Sequence, residues 1–276
     1  MSTVPFVSPT VGSGTELPPP AAVDASAPLI SVIVPALNEA RNLPHVMAGL
    51  PEVDEVILVD GGSTDDTVDV ARRLMPGIRV ITQNRRGKGN ALACGFAAAT
   101  GDIIVMIDAD GSTDPKEIPS FIAELRGGAD FAKGTRFGGT GGSADITRLR
   151  LVGNRCLSLL VNVLFGTRYS DLCYGYNAFW ARHLKVFDLD STSPAPAGKR
   201  DGRLWGDGFE IETLLNLRAA RARLTIVEVP SFEQPRIHGE SNLNAWTDGL
   251  RVLRTIAREW PRRRRAVIRR APERSR

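Results

Sequence analysis

The run Ile104-Val105-Met106-Ile107 passes directly into Asp108-Ala109-Asp110. Four large apolar residues in a row, three of them β-branched, read as a strand buried on both faces. Such a strand needs helices above and below it, which restricts the chain to a layered α/β architecture. Ligands of such sheets bind at the strand ends. Two carboxylates spaced i, i+2 there suit a hard divalent cation, held jointly by side-chain oxygens and substrate phosphates.

Three more segments share the strand pattern. Residues 29–35 (LISVIVP), 55–60 (EVILVD) and 78–82 read as strands, and residues 39–50, 65–74 and 87–99 have helical spacing. Ser63 or Thr64 is placed to cap the second of these helices. Strands alternating with helices predict a parallel sheet. Beyond Asp110 the spacing predicts helices at 115–125, 151–165 and 208–219, strands at 130–137, 174–180 and 224–230, and a final amphipathic helix at 244–260. Residues 138–142 hold four glycines and read as a mobile loop, and 191–203 as a polar one.

Composition removes several classes. The 276 residues suit one large α/β domain with appendages. Cys94, Cys156 and Cys173 are scattered, so neither a disulfide framework nor a zinc knuckle is expected. No segment reaches the roughly 18 apolar residues that span a bilayer. Residues 1–28 are rich in Pro, Ser, Thr and Ala and read as a disordered leader. From Arg251 onward there are eleven arginines against two glutamates, a net of +9. The total is +4, so the first 250 residues carry about −5. A basic end on an acidic body suits an anionic surface. A nucleic-acid partner is not expected: no recognised nucleic-acid motif is present, and acids stand at three strand ends.

Those acids lie in three motifs. Pro35-Ala36-Leu37-Asn38-Glu39 and Asp60-Gly61-Gly62-Ser63 each place an acid and small turn residues at a strand end, where carboxylates meet nucleobase N–H groups and ribose hydroxyls. Taken singly, Asn38 and Ser63 are equally good helix caps. In Arg85-Arg86-Gly87-Lys88-Gly89-Asn90 the glycines allow close approach to a phosphate at a helix N-terminus. It is not a P-loop, and Leu92 breaks G-x-G-x-x-G.

Together these stretches resemble the GT-A family 2 glycosyltransferases. Residues 133–137 (KGTRF), 166–179 (GTRYSDLCYGYNAF), 208–215 (GFEIETLL) and 236–244 (RIHGESNLN) look like the dolichyl-phosphate or polyprenyl-phosphate sugar synthase branch. The resemblance implies a single Rossmann-like α/β domain over 29–242, a mixed and mainly parallel sheet flanked by helices, then a helix (243–260) and a basic tail (261–276). It implies that Pro35, Asn38, Glu39, Asp60, Gly61, Lys88, Gly89 and Ala109 hold the nucleotide-sugar donor, with Arg236, His238 and Ser241 closing over its diphosphate. Asp108 and Asp110 match the metal-binding D-x-D, for Mg²⁺ or Mn²⁺. Where some relatives carry a further ligand two residues on, this chain has Ser112. Arg136 matches the acceptor-phosphate position, with Arg148, Arg150 and Arg155 as helpers.

The expected reaction is inverting transfer of a hexose from a GDP- or UDP-sugar to a polyprenyl or dolichyl phosphate, catalysed by a peripheral enzyme on the cytoplasmic membrane face. Asp110, Arg136 and Asp171 are the candidate catalytic residues, with Asp171 contacting the sugar or assisting the acceptor. Glu210 and Glu212 cannot share one helix face, so one of them at most reaches the site. The alternatives are a family 2 transferase acting on a saccharide or other hydroxyl acceptor in cell-envelope glycan synthesis, and a non-catalytic nucleotide-sugar-binding module. Residues 156–165 and 262–276 are the candidate membrane contacts, and the sequence sets no oligomeric state.

Overall fold

The computed structural model describes residues 27–195, 202–239 and 245–268. The leader (up to residue 26), Ser241, residues 196–201 of the 191–203 loop and the last eight residues lie outside the described residues. The apolar runs form strands as expected: β1 (Ile30–Ala36), β2 (Glu55–Asp60), β3 (Arg79–Thr82) and β4 (Ile103–Met106). They alternate with helices α1 (Leu43–Gly49), α2 (Thr67–Leu74) and α3 (Lys88–Ala98). Then follow α4 (Ile118–Arg126), β5 (Phe131–Thr135), β6 (Gly142–Ser143) and α5 (Arg148–Phe165). The chain continues with β7 (Asn177–Trp180), α6 (Leu184–Phe187), α7 (Ile211–Arg221), β8 (Ile226–Pro230), β9 (Phe232–Glu233) and α8 (Ala245–Ile268).

Seven strands make one sheet in the order β3-β2-β1-β4-β7-β5-β8. All neighbours are parallel except β7, which runs against both β4 and β5. Parallel register places Ala36 beside Asp60, and β4 ends two residues before Asp108. The motifs after β1, β2 and β4 therefore emerge along one edge of the sheet. That edge is where the strand order reverses about β1, the usual ligand crevice of open α/β sheets.

Apolar clusters cover both faces. On one, α1 and α4 supply Leu43, Val46, Ile118 and Phe121; on the other, α3, α6 and α7 supply Leu92, Phe96, Phe187, Ile211 and Leu215. Each such fully buried side chain contributes about 1.5–3 kcal/mol. A third cluster joins α5, α7 and α8 through Val161, Phe165, Leu217, Val252 and Ile256. It holds α5 and α8 beside the site.

The structure corrects four local expectations. Neither Ser63 nor Thr64 caps α2, which starts at Thr67 with Asp66 at its N-cap. The glycine run is not a free loop: Gly142 opens β6, which pairs with β9, and its N–H donates to the Ser231 carbonyl at 3.1 Å. The 174–180 segment forms a strand only from Asn177. Finally, α8 continues through Pro261 to Ile268. Proline forfeits one backbone hydrogen bond, and the i−4 residue here, Ala257, is on an exposed turn.

Candidate active site

A cleft of about 960 Å³ opens along this sheet edge. One wall is polar and carries Pro35, Glu39, Gly61, Lys88, Asp108, Ala109 and Asp110; Arg136 and Arg236 close it. The opposite wall is largely apolar and comes from α5 and α8, including Leu149, Leu157, Leu160, Trp246, Leu250 and Leu253.

At the polar end the two D-x-D carboxylates each face a cation of the chain. Lys88 Nζ is 2.6 Å from Asp108 Oδ1 and 2.8 Å from Glu212 Oε1. Burial works against the Lys88 charge, but the two carboxylates outweigh it and hold the ammonium well above the ordinary lysine range. Burial pushes Glu212 up, against the pull of Lys88. Arg236 spans Glu39 (2.9 Å) and Asp110 Oδ2 (3.1 Å). Burial also pushes the Glu39 carboxyl up, further than Asn42 and Arg236 pull it down. Asp110 Oδ1 accepts from the Ser112 N–H and hydroxyl, which fixes its rotamer and turns Oδ2 toward Arg236.

These two carboxylates fit a hard divalent cation. Both line the cleft and are partly exposed, at 29% for Asp108 and 17% for Asp110. Among the described residues no three His, Cys, Asp or Glu side chains group as a complete metal site. The protein would thus supply two oxygen ligands, leaving the rest to a phosphorylated ligand and water, the arrangement that suits Mg²⁺ or Mn²⁺.

The loop carrying Arg236 is fastened to the D-x-D turn. Gln234 N–H donates to the Ser112 carbonyl and Ile237 N–H to the Asp110 carbonyl. Gly111, at φ +79°, lies under Ile237; a Cβ there would come within 2.5 Å of Ile237 Cδ1. The loop also reaches α1, where Asn42 Nδ2 donates to the His238 carbonyl.

The acceptor candidates sort differently from the sequence expectation. Asp171 is fully buried, so the role of touching a sugar is corrected to one of holding Arg136. Its Oδ2 is 2.7 Å from Arg136 Nε and its Oδ1 is 3.0 Å from Nη2, while Asn154 donates to Oδ1. Glu233 takes Arg136 Nη1 at 2.9 Å. Two carboxylates therefore neutralise the guanidinium expected, with Arg148, Arg150 and Arg155 as helpers, to bind the acceptor phosphate. Burial pushes Asp171 up, yet Arg136 and the buried ammonium of Lys133 bring it below the ordinary aspartate range. Arg148 and Arg155 are exposed and lie off the cleft, and Arg155 sits 6.0 Å from the Phe137 ring centroid. Arg150 does line it, paired with Asp145 at 3.2 Å.

Four donor candidates also lie off the cleft wall. Asp60 accepts the N–H groups of Gly62 and Ser63, closing the turn after β2. Asn38 (φ +59°) accepts from Thr64 N–H and gives its own N–H to Ser63 Oγ, joining the first two loops. The His238 ring lies tilted beside that of His45, centroids 6.1 Å apart. Gly89 approaches protein, not open space: its N–H donates to the Asp207 carbonyl at 2.8 Å, and a Cβ would lie 1.9 Å from the Gly206 carbonyl oxygen. Arg85 fastens the same loop by a fork onto Asp207. Gln83 and Arg203 line the cleft without having been singled out in the sequence; Arg86 and Phe209 line it too, from the Arg85–Asn90 motif and the 208–215 segment, though neither was named as a site residue. Gln83 and Arg203 carry no spacing signal; only the return of the chain brings them there.

The model of glycosyl transferase family 2 matches residues 31–187. The chain belongs to this family. Among relatives, it is 33% identical over 237 residues to the low-salt glycan biosynthesis hexosyltransferase Agl6 of Haloferax volcanii, covering 83% of this chain and 53% of that one. It is 44% identical over 107 residues to an uncharacterised glycosyltransferase of Mycobacterium tuberculosis, covering 39% and 48%. The matches span about half the length of these two relatives. Among solved structures, glucosyl-3-phosphoglycerate synthase of M. tuberculosis in complex with Mn²⁺, UDP-glucose and phosphoglyceric acid aligns with a TM-score of 0.62 at 25% identity, covering 85% of this chain and 80% of that one. The same enzyme with Mg²⁺ and UDP aligns with a TM-score of 0.64. The fold of this family 2 member is thus the GT-A type expected.

Proposed function

We propose that this chain moves a hexose from a nucleoside diphosphate sugar, UDP- or GDP-linked, to a polyprenyl phosphate, with inversion at the anomeric carbon. The observation that carries the reading is the two-sided cleft. Its polar wall ends in the D-x-D carboxylates, and its apolar wall runs out between α5 and α8. A sugar donor needs only the first; an acceptor with a long apolar tail fits the second. Support for the donor comes from the structural neighbour, which binds UDP-glucose.

Pro35, Glu39 and Gly61 line the part of the cleft assigned to the nucleoside, and Asp108 and Asp110 would hold Mg²⁺ or Mn²⁺. When bound, the cation neutralises charge that builds on the departing diphosphate. Lys88 and Arg236 add two more cations beside the same carboxylates, placed to pair with diphosphate oxygens. The bond from the anomeric carbon to the diphosphate breaks as an acceptor oxygen bonds from the opposite face. A phosphate acceptor is already ionised at neutral pH, so it requires placement and no base. Arg150, half-buried at the cleft and paired with Asp145 at 3.2 Å and with Glu233 at 3.9 Å, is the guanidinium assigned to that placement, while Asp171 and Glu233 hold Arg136 as part of the wall.

One observation favours the second reading, a hydroxyl acceptor in cell-envelope glycan synthesis. Glu212 lines the cleft, and burial raises its carboxyl, the condition for a general base. Agl6, named for glycan biosynthesis, and the phosphoglyceric acid complex fit that reading. Incubating the protein with Mn²⁺, labelled UDP- and GDP-sugars and either a short polyprenyl phosphate or a panel of hydroxyl acceptors separates the two. Labelled lipid that persists in Glu212→Gln supports the first. A hydroxyl product that falls about 10²-fold or more in Glu212→Gln supports the second. Release of no sugar to either acceptor would dismiss both.

A further inference from the structure

Thirteen large apolar side chains are well exposed among the described residues, and eight of them lie on α5 and α8. They are not scattered. On α5, Leu149, Val152, Leu159, Leu160 and Val163 recur at i, i+3, i+10, i+11 and i+14, which is one side of a helix. The opposite side of α5, with Asn154, Ser158, Val161 and Phe165, is buried against the body. On α8, Trp246, Leu250 and Leu253 repeat at i, i+4 and i+7 and are 74%, 55% and 43% exposed. The two helices pack on each other through their buried sides, and Leu149 and Leu160 of one stripe line the same cleft as Trp246, Leu250 and Leu253 of the other. An exposed apolar area of this extent marks an interaction surface.

The charge beside it identifies the partner. Arg251, Arg254 and Arg258 follow at i, i+3 and i+7 on α8, next to the apolar stripe; Arg254 and Arg258 are exposed, while Arg251 pairs with Asp248 at 2.9 Å and the Arg258 guanidinium also lies 5.1 Å from the Trp205 ring centroid. Arg148 and Arg155 flank the stripe on α5, both exposed. Beyond Trp260 the sequence adds Arg262, Arg263, Arg264 and Arg265. A helix with an apolar stripe bordered by arginines is built to lie in the plane of a membrane interface. A second copy of this chain would suit the surface poorly, because a symmetric contact brings each row of arginines against itself.

We propose that α5 and α8 together form a docking face for an anionic lipid bilayer. The apolar stripes enter the interface, and the arginines on both flanks meet lipid phosphates. Leu149, Leu160, Trp246, Leu250 and Leu253 belong both to this face and to the apolar wall of the cleft. Docking would therefore bring the cleft mouth to the bilayer surface. Delivery of a lipid acceptor into the cleft rests on the polyprenyl phosphate reading; docking itself does not.

Co-sedimentation of the full chain with phosphatidylcholine vesicles, with and without phosphatidylglycerol, tests the face. The protein should pellet with the anionic vesicles, and more weakly as salt rises. Val152, Leu159 and Val163 lie on the stripe but off the cleft. The triple variant V152E/L159E/V163E should therefore bind UDP with Mn²⁺ as wild type does, while its partition onto vesicles falls about tenfold or more. Arg254→Gln with Arg258→Gln should weaken anionic-vesicle binding and flatten its salt dependence. If the acidic triple does not fold by circular dichroism, V152S/L159S/V163S takes its place. The readout is then the blue shift of tryptophan emission on vesicles, which Trp246→Phe should diminish in the parent chain. A folded triple variant that pellets like wild type, through its basic C-terminal residues alone, overturns the proposal. So does a wild type that stays in the supernatant, or one that forms a dimer the triple variant dissolves. Vesicle binding without transfer to polyprenyl phosphate would leave the face standing and remove only the lipid-acceptor reading.

Discussion

Lys88 and Asp108 form an ion pair at the polar end of the cleft, with the ammonium 2.6 Å from Oδ1. The pair joins α3 to the turn after β4, and the same ammonium reaches Glu212 on α7. Removing the cation leaves a buried carboxylate, Glu212, and a partly exposed one, Asp108, without the charge they share. Lys88→Met should cost about 3 kcal/mol, a fall in Tm of roughly 6–12 °C by differential scanning calorimetry. Adding Glu212→Gln should return part of that loss. A double variant as unstable as the single one would show that the two carboxylates do not feel each other through Lys88.

The Arg136–Asp171 fork predicts a specific acid sensitivity. Asp171 is held below the ordinary aspartate range in the folded protein, so folding favours its ionised form. The stability this supplies is present above about pH 4 and is lost as pH falls through the folded-state value. Asp171→Asn should lower stability at neutral pH by about 3 kcal/mol and flatten the acid limb of a stability–pH curve from urea titrations. An acid limb as steep in the variant as in wild type would assign the sensitivity to other carboxylates.

Gly89 tests whether its glycine serves packing or ligand approach. A Cβ there meets the Gly206 carbonyl at 1.9 Å, a backbone atom that cannot swing aside. Gly89→Ala should push the loop of Trp205–Asp207 off α3, with a drop in stability of about 2–3 kcal/mol. Gly62→Ala is a useful contrast, since nothing lies within 4 Å of its added Cβ and only its φ of +87° opposes the change. The loss should be about 1 kcal/mol there. Equal losses at the two positions would contradict the packing role of Gly89.

Much of this architecture is visible in the sequence because it is locally encoded. The strands β1, β2 and β4 are continuous apolar runs, and D-x-D and Lys88 sit in short motifs close to them in the chain, whereas Arg236 was named only through the resemblance. What the sequence hides depends on distant returns of the chain. Arg136 meets Asp171 from 35 residues away and Glu233 from 97, so neither spacing nor residue type reveals that the guanidinium is already neutralised. Gly87 and Gly89 carry the signature of phosphate approach, yet the loop they admit is their own chain at Gly206 and Asp207. Asn38 and Asp60 look like ligand contacts because turn-closing and ligand-binding use the same side chains at strand ends. The reversed direction of β7 leaves no trace in its composition, since an apolar buried strand reads alike in either sense.

The most direct test of the D-x-D assignment is calorimetric titration of UDP and GDP into wild type and Asp110→Asn, with and without Mn²⁺. Wild type should bind one of the nucleotides at least about tenfold more tightly with Mn²⁺ than without it, and Asp110→Asn should lose that difference while keeping its fold. Nucleotide affinity that ignores Mn²⁺ in wild type, or a metal effect that survives in the variant, would remove the paired carboxylates from the chemistry proposed for this cleft.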